Sequence, residues 1–323
     1  MIVTLTPNPS TDRTVTLAGE LRRGAVLRTE SVISQAGGKG VNISRACLAA
    51  GVPTTAVLPC AADDAFALEL RAAGIPATLV AVDGAVRVNL TLSEPDGTTT
   101  KLNSPGIPAT PAVLDELGAR LHEAAVGADW VVLAGSLPPG APDGWYADLV
   151  ADLRSVTRVA VDTSDAPLAA LVERLEGGAP HLMKPNGHEL ASLITSGLDG
   201  DALEADPAAA AAAAHQLLDR GVETVLVTLG GHGAVLVGAD GDHHASPPPT
   251  RVVSTVGAGD SSLFGYLLAD REGRGPADRL ALAVAYGSAA AGLPGTTIPH
   301  PDQVHPELVA VGDLGRPAAR PRA

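Results

Sequence analysis

The stretch STVGAGDSS, residues 254 to 262, places two glycines and a carboxylate at the predicted start of a helix. A helix N-terminus binds anions, because its first amides lack partners and the helix dipole is positive there. Gly257 and Gly259 let the backbone approach a ligand, and Asp260 stands where its side chain could reach the same ligand. These residues predict a phosphate site with a base. In the alternative interpretation, Ser254 or Asp260 only caps the helix and the glycines form a tight turn.

The hexapeptide KPNGHE, residues 184 to 189, follows a predicted strand and opens another predicted helix. Asn186 and Glu189 are three positions apart, so they share one face of the first helical turn. Their oxygens could hold water around Mg²⁺, which prefers water and carboxylate ligands and accompanies nucleotide phosphates. The alternative is a capping box, in which Asn186 is the N-cap and Glu189 is the third helical residue.

Four more loops are rich in Gly, Pro or Asn. They are NPSTD (8–12), GGKG (37–40), GSLPPG (135–140) and TLGGHG (228–233). Each is a weak signal alone, because ordinary turns have the same composition, and GGKG fits neither GxGxxG nor the Walker A pattern. In an open parallel sheet, however, ligands bind beyond the carboxyl ends of the strands. Several such loops along one sheet edge therefore indicate a ligand site.

Composition restricts the class of protein. The chain has 323 residues, 46% apolar content and a formal charge of −14, which argues against binding to nucleic acid or to an acidic membrane surface. Cys47 and Cys60 form neither a disulfide framework nor a zinc-ligand pattern. The start lacks a basic leader, and no stretch approaches the ~20 apolar residues of a membrane span. We therefore expect a cytoplasmic globular protein with no nucleic-acid or membrane partner.

Apolar β-type runs alternate with helical patterns through most of the chain, which is typical of an α/β fold with a parallel sheet and helices on both faces. The predicted strands are 2–6, 54–60, 77–82, 130–134, 158–162, 181–184, 224–228 and 234–237. The predicted helices cover about 41–51, 64–73, 110–125, 142–153, 166–175, 187–194, 207–220, 260–271 and 276–291.

Two segments, 13–35 and 86–103, break this alternation with short polar β patterns. They predict a small sheet at the edge of the main domain, which could act as a lid. We expect a single domain over residues 1–311. The tail, residues 312–323, is rich in Pro, Arg and Ala and is expected to be disordered.

The motifs taken together resemble the PfkB family of ribokinase-like sugar kinases. In order along the chain they are GGKGVN near residue 40, GSLPPG near 137, KPNGHE near 186, TLGGHG near 230 and TVGAGD near 258. The similarity covers about residues 2–297, and the combination is much more specific than its members. The resemblance implies a three-layer α/β/α sandwich with a mostly parallel central sheet and a small β lid. It also implies ATP and Mg²⁺ as cofactors.

The resemblance assigns the transfer chemistry to the motif near residue 258. Asp260 matches the general base that takes the proton from the sugar hydroxyl as it attacks the γ-phosphate. The amides of Gly257, Ala258 and Gly259 match the anion hole that stabilises the migrating phosphoryl group.

The resemblance also assigns nucleotide and sugar contacts. Asn186 and Glu189 match the motif that organises Mg²⁺, and Lys184 lies where relatives place a positive charge near the nucleotide phosphates. The matches to the nucleotide loop are Thr228, Gly230 and Gly233. The matches to the sugar-binding wall are Asp12, Gly38, Lys39 and Asn42. The matches to positions that hold the substrate's own phosphate or sugar are Arg87, Asn89, Ser136 and Arg28.

Within the family, the chain is most similar to the 1-phosphofructokinase and tagatose-6-phosphate kinase branch, through TLTPNPSTDRT, VRVNLTL and KLNSPG. Some 6-phosphofructokinases of the family have Lys where this chain has Val26 and Gly where it has Lys39. Both differences favour fructose 1-phosphate over fructose 6-phosphate as the acceptor. Tagatose-6-phosphate kinase and 6-phosphofructokinase remain alternatives. A sugar-phosphate-binding regulator without activity is an alternative from another class.

Relatives form dimers through similar lids, so the resemblance also implies a homodimer through the lid. The remaining partners implied are small molecules, namely a sugar phosphate and ATP.

Overall fold

A central β-sheet organises the chain in the computed structural model, which describes residues 1–194 and 197–315. In chain order, the strands are β1 (Ile2–Leu5), β2 (Ser10–Leu17), β3 (Thr29–Gly37), β4 (Thr54–Pro59), β5 (Ala77–Val80), β6 (Arg87–Ser93), β7 (Thr99–Asn103), β8 (Trp130–Ala134), β9 (Arg158–Asp162), β10 (Leu182–Met183), β11 (Thr224–Thr228), β12 (Ala234–Gly238), β13 (Gly241–Ser246) and β14 (Ala310–Asp313). The helices are α1 (Lys39–Ala49), α2 (Ala65–Ala72), α3 (Pro111–Ala125), α4 (Trp145–Leu153), α5 (Asp165–Glu173), α6 (Gly187–Leu193), α7 (Gly200–Ala205), α8 (Pro207–Leu218), α9 (Ala258–Arg271) and α10 (Pro276–Ala291).

The central sheet has the strand order β14-β13-β12-β11-β10-β9-β8-β1-β4-β5. All neighbours from β11 to β5 in this order pair in parallel. Helices α3 to α8 pack around Val131 and Leu133 on one face, and α1, α9 and α10 pack around Val132 and Ala134 on the other. Parallel strands are apolar on both sides because both faces are covered. The predicted three-layer α/β/α architecture is confirmed.

The edge of the sheet beyond β11 differs from the prediction. Strands β12, β13 and β14 pair antiparallel, and β13 has the polar sequence GDHHAS, which hid it from a search for apolar runs. Gly312 and Asp313 belong to β14, so the predicted start of a disordered tail at residue 312 is wrong. The rest of that prediction, from residue 316 onwards, lies outside the described residues.

Helix α7 was also missed, although its start carries a recognisable signal. Asp199 caps it by accepting a hydrogen bond from the amide of Ala202 at 2.9 Å. A helix of six residues is too short to show apolar periodicity. None of the helices in the described part of the chain is both long and apolar enough to cross a membrane.

Four strands form a second, smaller sheet in the order β3-β2-β6-β7. It contains both segments predicted as a lid and starts slightly earlier, at Ser10. Alternate residues of its strands, including Asp12, Thr14 and Asn89, face a cavity of about 350 Å³. The loop residues Val253, Ser254, Val256 and Pro294–Thr297 complete this cavity, which we call the small cavity.

Candidate active site

The turns that follow the parallel strands meet at one edge of the central sheet. Strand β9 ends at Asp162, β11 ends at Thr228, and Lys184 directly follows β10. Asn186 and Thr228 form an isolated parallel bridge, and the amide of Thr228 donates to the carbonyl of Pro185 at 3.1 Å. Because parallel strands place their carboxyl ends together, residues distant in sequence converge here.

The start of α9 is open to a ligand. Gly257 is its N-cap in a left-handed conformation with φ 79°, which favours glycine, and no side chain caps this helix end. Asp260 is only 6% exposed and accepts a hydrogen bond from Asn42 Nδ2 at 2.8 Å. Ser254 Oγ accepts from the amide of Val256, which precedes the helix. The interpretation in which Ser254 or Asp260 caps α9 is therefore wrong.

A carboxylate that the sequence analysis missed lies at the centre of the site. Asp162 is completely buried, and its Oδ1 accepts a hydrogen bond from Lys39 Nζ at 2.8 Å. Lys184 Nζ lies 3.2 Å from its other oxygen, Oδ2. A Cβ added to Gly259 would lie 3.3 Å from Lys184 Nζ. The absence of a side chain at Gly259 therefore lets the ammonium group reach the start of α9. A charged residue at the end of an apolar strand was the available signal for Asp162.

Burial and neighbouring charges shift the pKa values of Asp162, Lys39 and Asp260. Burial opposes ionisation of Asp162, but the ammonium groups of Lys184 and Lys39 prevail and lower its pKa. Burial likewise opposes the charge on Lys39, whereas Asp162 and Asp260 stabilise it and raise its pKa. Burial raises the pKa of Asp260, assisted by the nearby charge of Asp162 and opposed by Lys39. Asp260 therefore binds a proton more strongly than an ordinary aspartate, which suits a general base.

Arg87 and Ser136 come together beside the first strand loop. Arg87 Nη2 donates to the carbonyl of Asn8 at 3.1 Å and lies 3.4 Å from Ser136 Oγ. Asn8 Nδ2 also donates to Ser136 Oγ at 3.3 Å. A guanidinium group and a hydroxyl side by side can bind a phosphate.

Asp12 and Asn89 line the small cavity from adjacent strands. Asp12 Oδ1 accepts from Ser10 Oγ at 2.8 Å and from Asn89 Nδ2 at 3.5 Å. Burial raises the pKa of Asp12, although both hydrogen bonds oppose the shift. A Cβ on Gly37 would lie 2.2 Å from Asp12 Oδ2, so the turn through Gly37 and Gly38 passes directly over this carboxylate. The same turn leads into Lys39 and Asn42, which links the small cavity to Asp260.

Lys39, which follows this turn, also lines a cleft of about 740 Å³, which we call the large cleft. Its lining includes the predicted nucleotide and metal residues, namely Lys184, Asn186, Glu189, Thr228, Gly230 and Gly233, together with Lys39 of the predicted sugar-binding wall and with Ala258 and Gly259. The same lining includes a mostly apolar group of residues, namely Pro247–Pro249, Val252, Val284 and Ala291. A cleft lined by both charged and apolar residues fits the polarity of a nucleotide.

Asn186 and Glu189 form a complete capping box at the start of α6. Asn186 Oδ1 accepts from the amide of Glu189 at 2.8 Å, and Glu189 Oε2 accepts from the amide of Asn186 at 2.9 Å. The alternative interpretation of this motif, as a capping box, is confirmed. Both side chains nevertheless line the large cleft, so the capping box also brings side-chain oxygens to this cleft.

Arg28 is not brought to the site. It is exposed, and its carbonyl accepts from the amide of Ala18 at the far end of the β2–β3 pair. The opposite end of this pair, where Ser10 faces Gly37, borders the site. Nine residues of β3 separate the two ends, about 30 Å of extended chain. The assignment of Arg28 to the substrate is therefore not supported within one chain.

Another depression, of about 900 Å³, lies between β5 and α3. It contains none of the predicted site residues, and the chemistry of the site does not involve it.

Comparison with known proteins agrees with this geometry. Residues 8–303 match the model of the pfkB family carbohydrate kinases, so the chain belongs to this family and is a phosphotransferase that acts on a sugar hydroxyl. It is 38% identical over 309 residues to a protein of Rhodobacter capsulatus named 1-phosphofructokinase, with 94% of each chain covered.

Solved structures show the same fold. Phosphofructokinase-2 from Escherichia coli, crystallised in complex with substrates and products, superposes with a TM-score of 0.83 at 29% identity, with 94% of this chain and 96% of that chain covered. Ribokinase from Thermotoga maritima superposes with a TM-score of 0.72 at 20% identity, with 94% and 97% covered, which supports the fold.

Proposed function

We propose that this chain transfers the γ-phosphoryl group of ATP to the 6-hydroxyl of fructose 1-phosphate, which yields ADP and fructose 1,6-bisphosphate. The observation that carries the proposal is the buried Asp260 beside the uncapped start of α9, with Lys39 and Lys184 close by. The name of the Rhodobacter capsulatus relative supports this acceptor sugar. We also propose that the reaction takes place in the cytoplasm.

Each group at the site has a role in this reaction. Asp260 takes the proton of the sugar hydroxyl as its oxygen bonds to the γ-phosphorus and the bond to the ADP oxygen breaks. The amides of Gly257, Ala258 and Gly259 stabilise the charge on the migrating group, because the helix dipole is positive at this end. Lys184 neutralises charge on the nucleotide phosphates as a compact cation.

Asn42 and Asp162 position these groups. Asn42 Nδ2 holds one oxygen of Asp260 at 2.8 Å and leaves the other oxygen for the substrate. Asp162 holds Lys39 on one oxygen and approaches Lys184 with the other. The two lysines are thereby fixed before substrates bind, which lowers the cost of reorganisation during the reaction.

Asn186 and Glu189, which line the large cleft, fit a magnesium ion. Mg²⁺ keeps several waters and takes few protein ligands when it binds with nucleotide phosphates. Glu189 uses only Oε2 in the capping box, so Oε1 is available to an ion or to its water. When bound, Mg²⁺ would neutralise phosphate charge, with Glu189 and Asn186 holding it through water.

Glu189→Gln separates the capping role from the metal role. Glutamine also completes a capping box, so the free energy of unfolding should change by less than about 0.5 kcal/mol. The Mg²⁺ concentration for half-maximal activity should rise by about tenfold, because the carboxylate charge is lost. Urea unfolding and magnesium titration of ADP release measure the two effects. An unchanged magnesium requirement would contradict the metal role.

The acceptor is tested by ADP release with fructose 1-phosphate, fructose 6-phosphate, tagatose 6-phosphate and fructose. We expect the highest kcat/KM with fructose 1-phosphate. Arg87→Gln should lower kcat/KM for phosphorylated sugars by about tenfold to a hundredfold and have little effect on fructose, because charge-assisted hydrogen bonds to phosphate are lost. Preference for an unphosphorylated sugar would refute the proposed substrate.

The remaining candidates for the acceptor are tagatose 6-phosphate and fructose 6-phosphate. Since both carry a phosphate, the same panel ranks them against fructose 1-phosphate. The absence of turnover with every sugar, together with measurable binding, would favour a regulator without activity.

We also propose that two copies of the chain associate through the smaller sheet. A second copy would cover the apolar side chains of Val32 and Leu102, which this sheet exposes on the face opposite the small cavity. Sedimentation as a monomer at the concentration of the activity measurements would contradict the dimer.

A further inference from the structure

Glu204 lies in the large cleft and has no part in the reaction described above. It stands on α7, and its side chain crosses the start of α6, with Cγ 2.4 Å from the position of a Cβ on Gly187. Its Oε2 lies 3.2 Å from the position of a Cβ on Gly230. Glycines at both contacts therefore let this carboxylate reach the turn after β11.

The carboxylate of Glu204 is available to a ligand. Within residues 1–194 and 197–315, the structure contains no hydrogen bond or ion pair to its oxygens. Neighbouring acidic groups are engaged, since Glu189 accepts from the amide of Asn186 and Asp201 pairs with His188 at 3.3 Å. A carboxylate in a cleft without a partner is an acceptor that a bound molecule can use.

The chemistry of a nucleotide restricts what this acceptor can bind. Phosphate groups are excluded because two negative charges repel each other. The apolar side chains in the lining of the large cleft, including Val252, Val284 and Ala291, suit the flat base. The ribose joins base to phosphates, and its neighbouring hydroxyls are hydrogen-bond donors.

We propose that Glu204 accepts hydrogen bonds from the ribose hydroxyls of the bound nucleotide, so that the site selects ribonucleotides over 2′-deoxyribonucleotides. The proposal rests on the proposed use of ATP. A site that hydrogen-bonds a hydroxyl rejects an analogue that lacks it, because the acceptor, once covered by the bound molecule, is left without a partner.

The test compares ATP with 2′-deoxy-ATP as donors at saturating fructose 1-phosphate. For the wild type, we expect kcat/KM to be at least about tenfold higher with ATP, the effect of one hydrogen bond to a charged group. In Glu204→Ala this ratio should fall below about threefold through a higher KM for ATP. Glu204→Gln should give an intermediate ratio, because its amide oxygen still accepts.

Asp201→Asn is the matched control, since this exposed carboxylate lies on the same helix. It should keep the wild-type ratio. Calorimetric titration with both nucleotides gives a second readout that does not need turnover. If the enzyme shows no turnover but still prefers ATP in binding, the proposed function fails while this inference stands.

Two results would overturn the inference. One is equal use of both nucleotides by the wild type. The other concerns Glu204→Gln: its magnesium requirement rises, while its ratio of kcat/KM with ATP to kcat/KM with 2′-deoxy-ATP stays at the wild-type value. That result would show that Glu204 binds a cation instead of the ribose.

Discussion

Replacing Asp260 by asparagine is expected to lower kcat by about a thousandfold, because the variant loses the base that takes the hydroxyl proton. The amide oxygen of asparagine can still accept from Asn42 Nδ2, so the local geometry is retained. Binding of ATP and sugar phosphate should survive. ADP release under saturating conditions and calorimetric titration of each ligand measure the two quantities.

The same variant should not unfold more easily than the wild type. Burial raises the pKa of Asp260. A carboxyl whose pKa is higher in the folded than in the unfolded chain reduces stability as the pH rises from the unfolded pKa to the raised one, and the loss is complete above both. At neutral pH the neutral asparagine avoids this cost. In the wild type, activity should fall as the pH drops through the raised pKa, because the base becomes protonated.

Asp115→Asn is the control for this experiment, since Asp115 is exposed on α3, away from the site. It should keep wild-type activity. An Asp260→Asn enzyme with more than a tenth of the wild-type kcat would exclude Asp260 as the base. Loss of ATP binding in this variant would indicate a structural role.

Asp162→Asn is expected to lower the free energy of unfolding by about 3 kcal/mol at neutral pH, because it leaves the charges of the buried Lys184 and the half-buried Lys39 without their shared partner. Lys39 and Lys184 would then face each other without a negative charge between them. Urea unfolding with both proteins measures the difference. Since the two lysines lower the pKa of Asp162, the carboxylate contributes stability above the ordinary pKa of aspartate, about 4, and loses it as the pH falls further.

Asp129→Asn provides a matched control with the same chemical change. Asp129 also pairs with two cations, the N-terminus and Arg271, but its side chain is 48% exposed. Such a pair contributes less than about 1 kcal/mol, because water competes for both partners. If Asp162→Asn costs no more than Asp129→Asn, the buried charge cluster does not stabilise the fold.

Much of the fold follows from local patterns in the chain. The apolar runs at β1, β8 and β9 predicted parallel strands, because strands covered on both faces need apolar residues throughout. Strands β13 and β14 and the short α7 escaped prediction. Their residues are polar or few, so their pairing depends on neighbours that are distant in sequence.

The sequence by itself determined the family, because the glycine-rich motifs and the carboxylate at a helix start are specific in combination, and it predicted Asp260 as the reacting group. Only the tertiary structure decided which charges surround Asp260. The ion pair of Lys39 with Asp162 joins residues 123 positions apart, and Lys184 shares the same carboxylate. The tertiary structure also placed Arg28 far from the site. Electrostatic coupling and side-chain contacts depend on the distance between residues in space. This distance follows from how strands pair and helices pack, and no local sequence pattern encodes it.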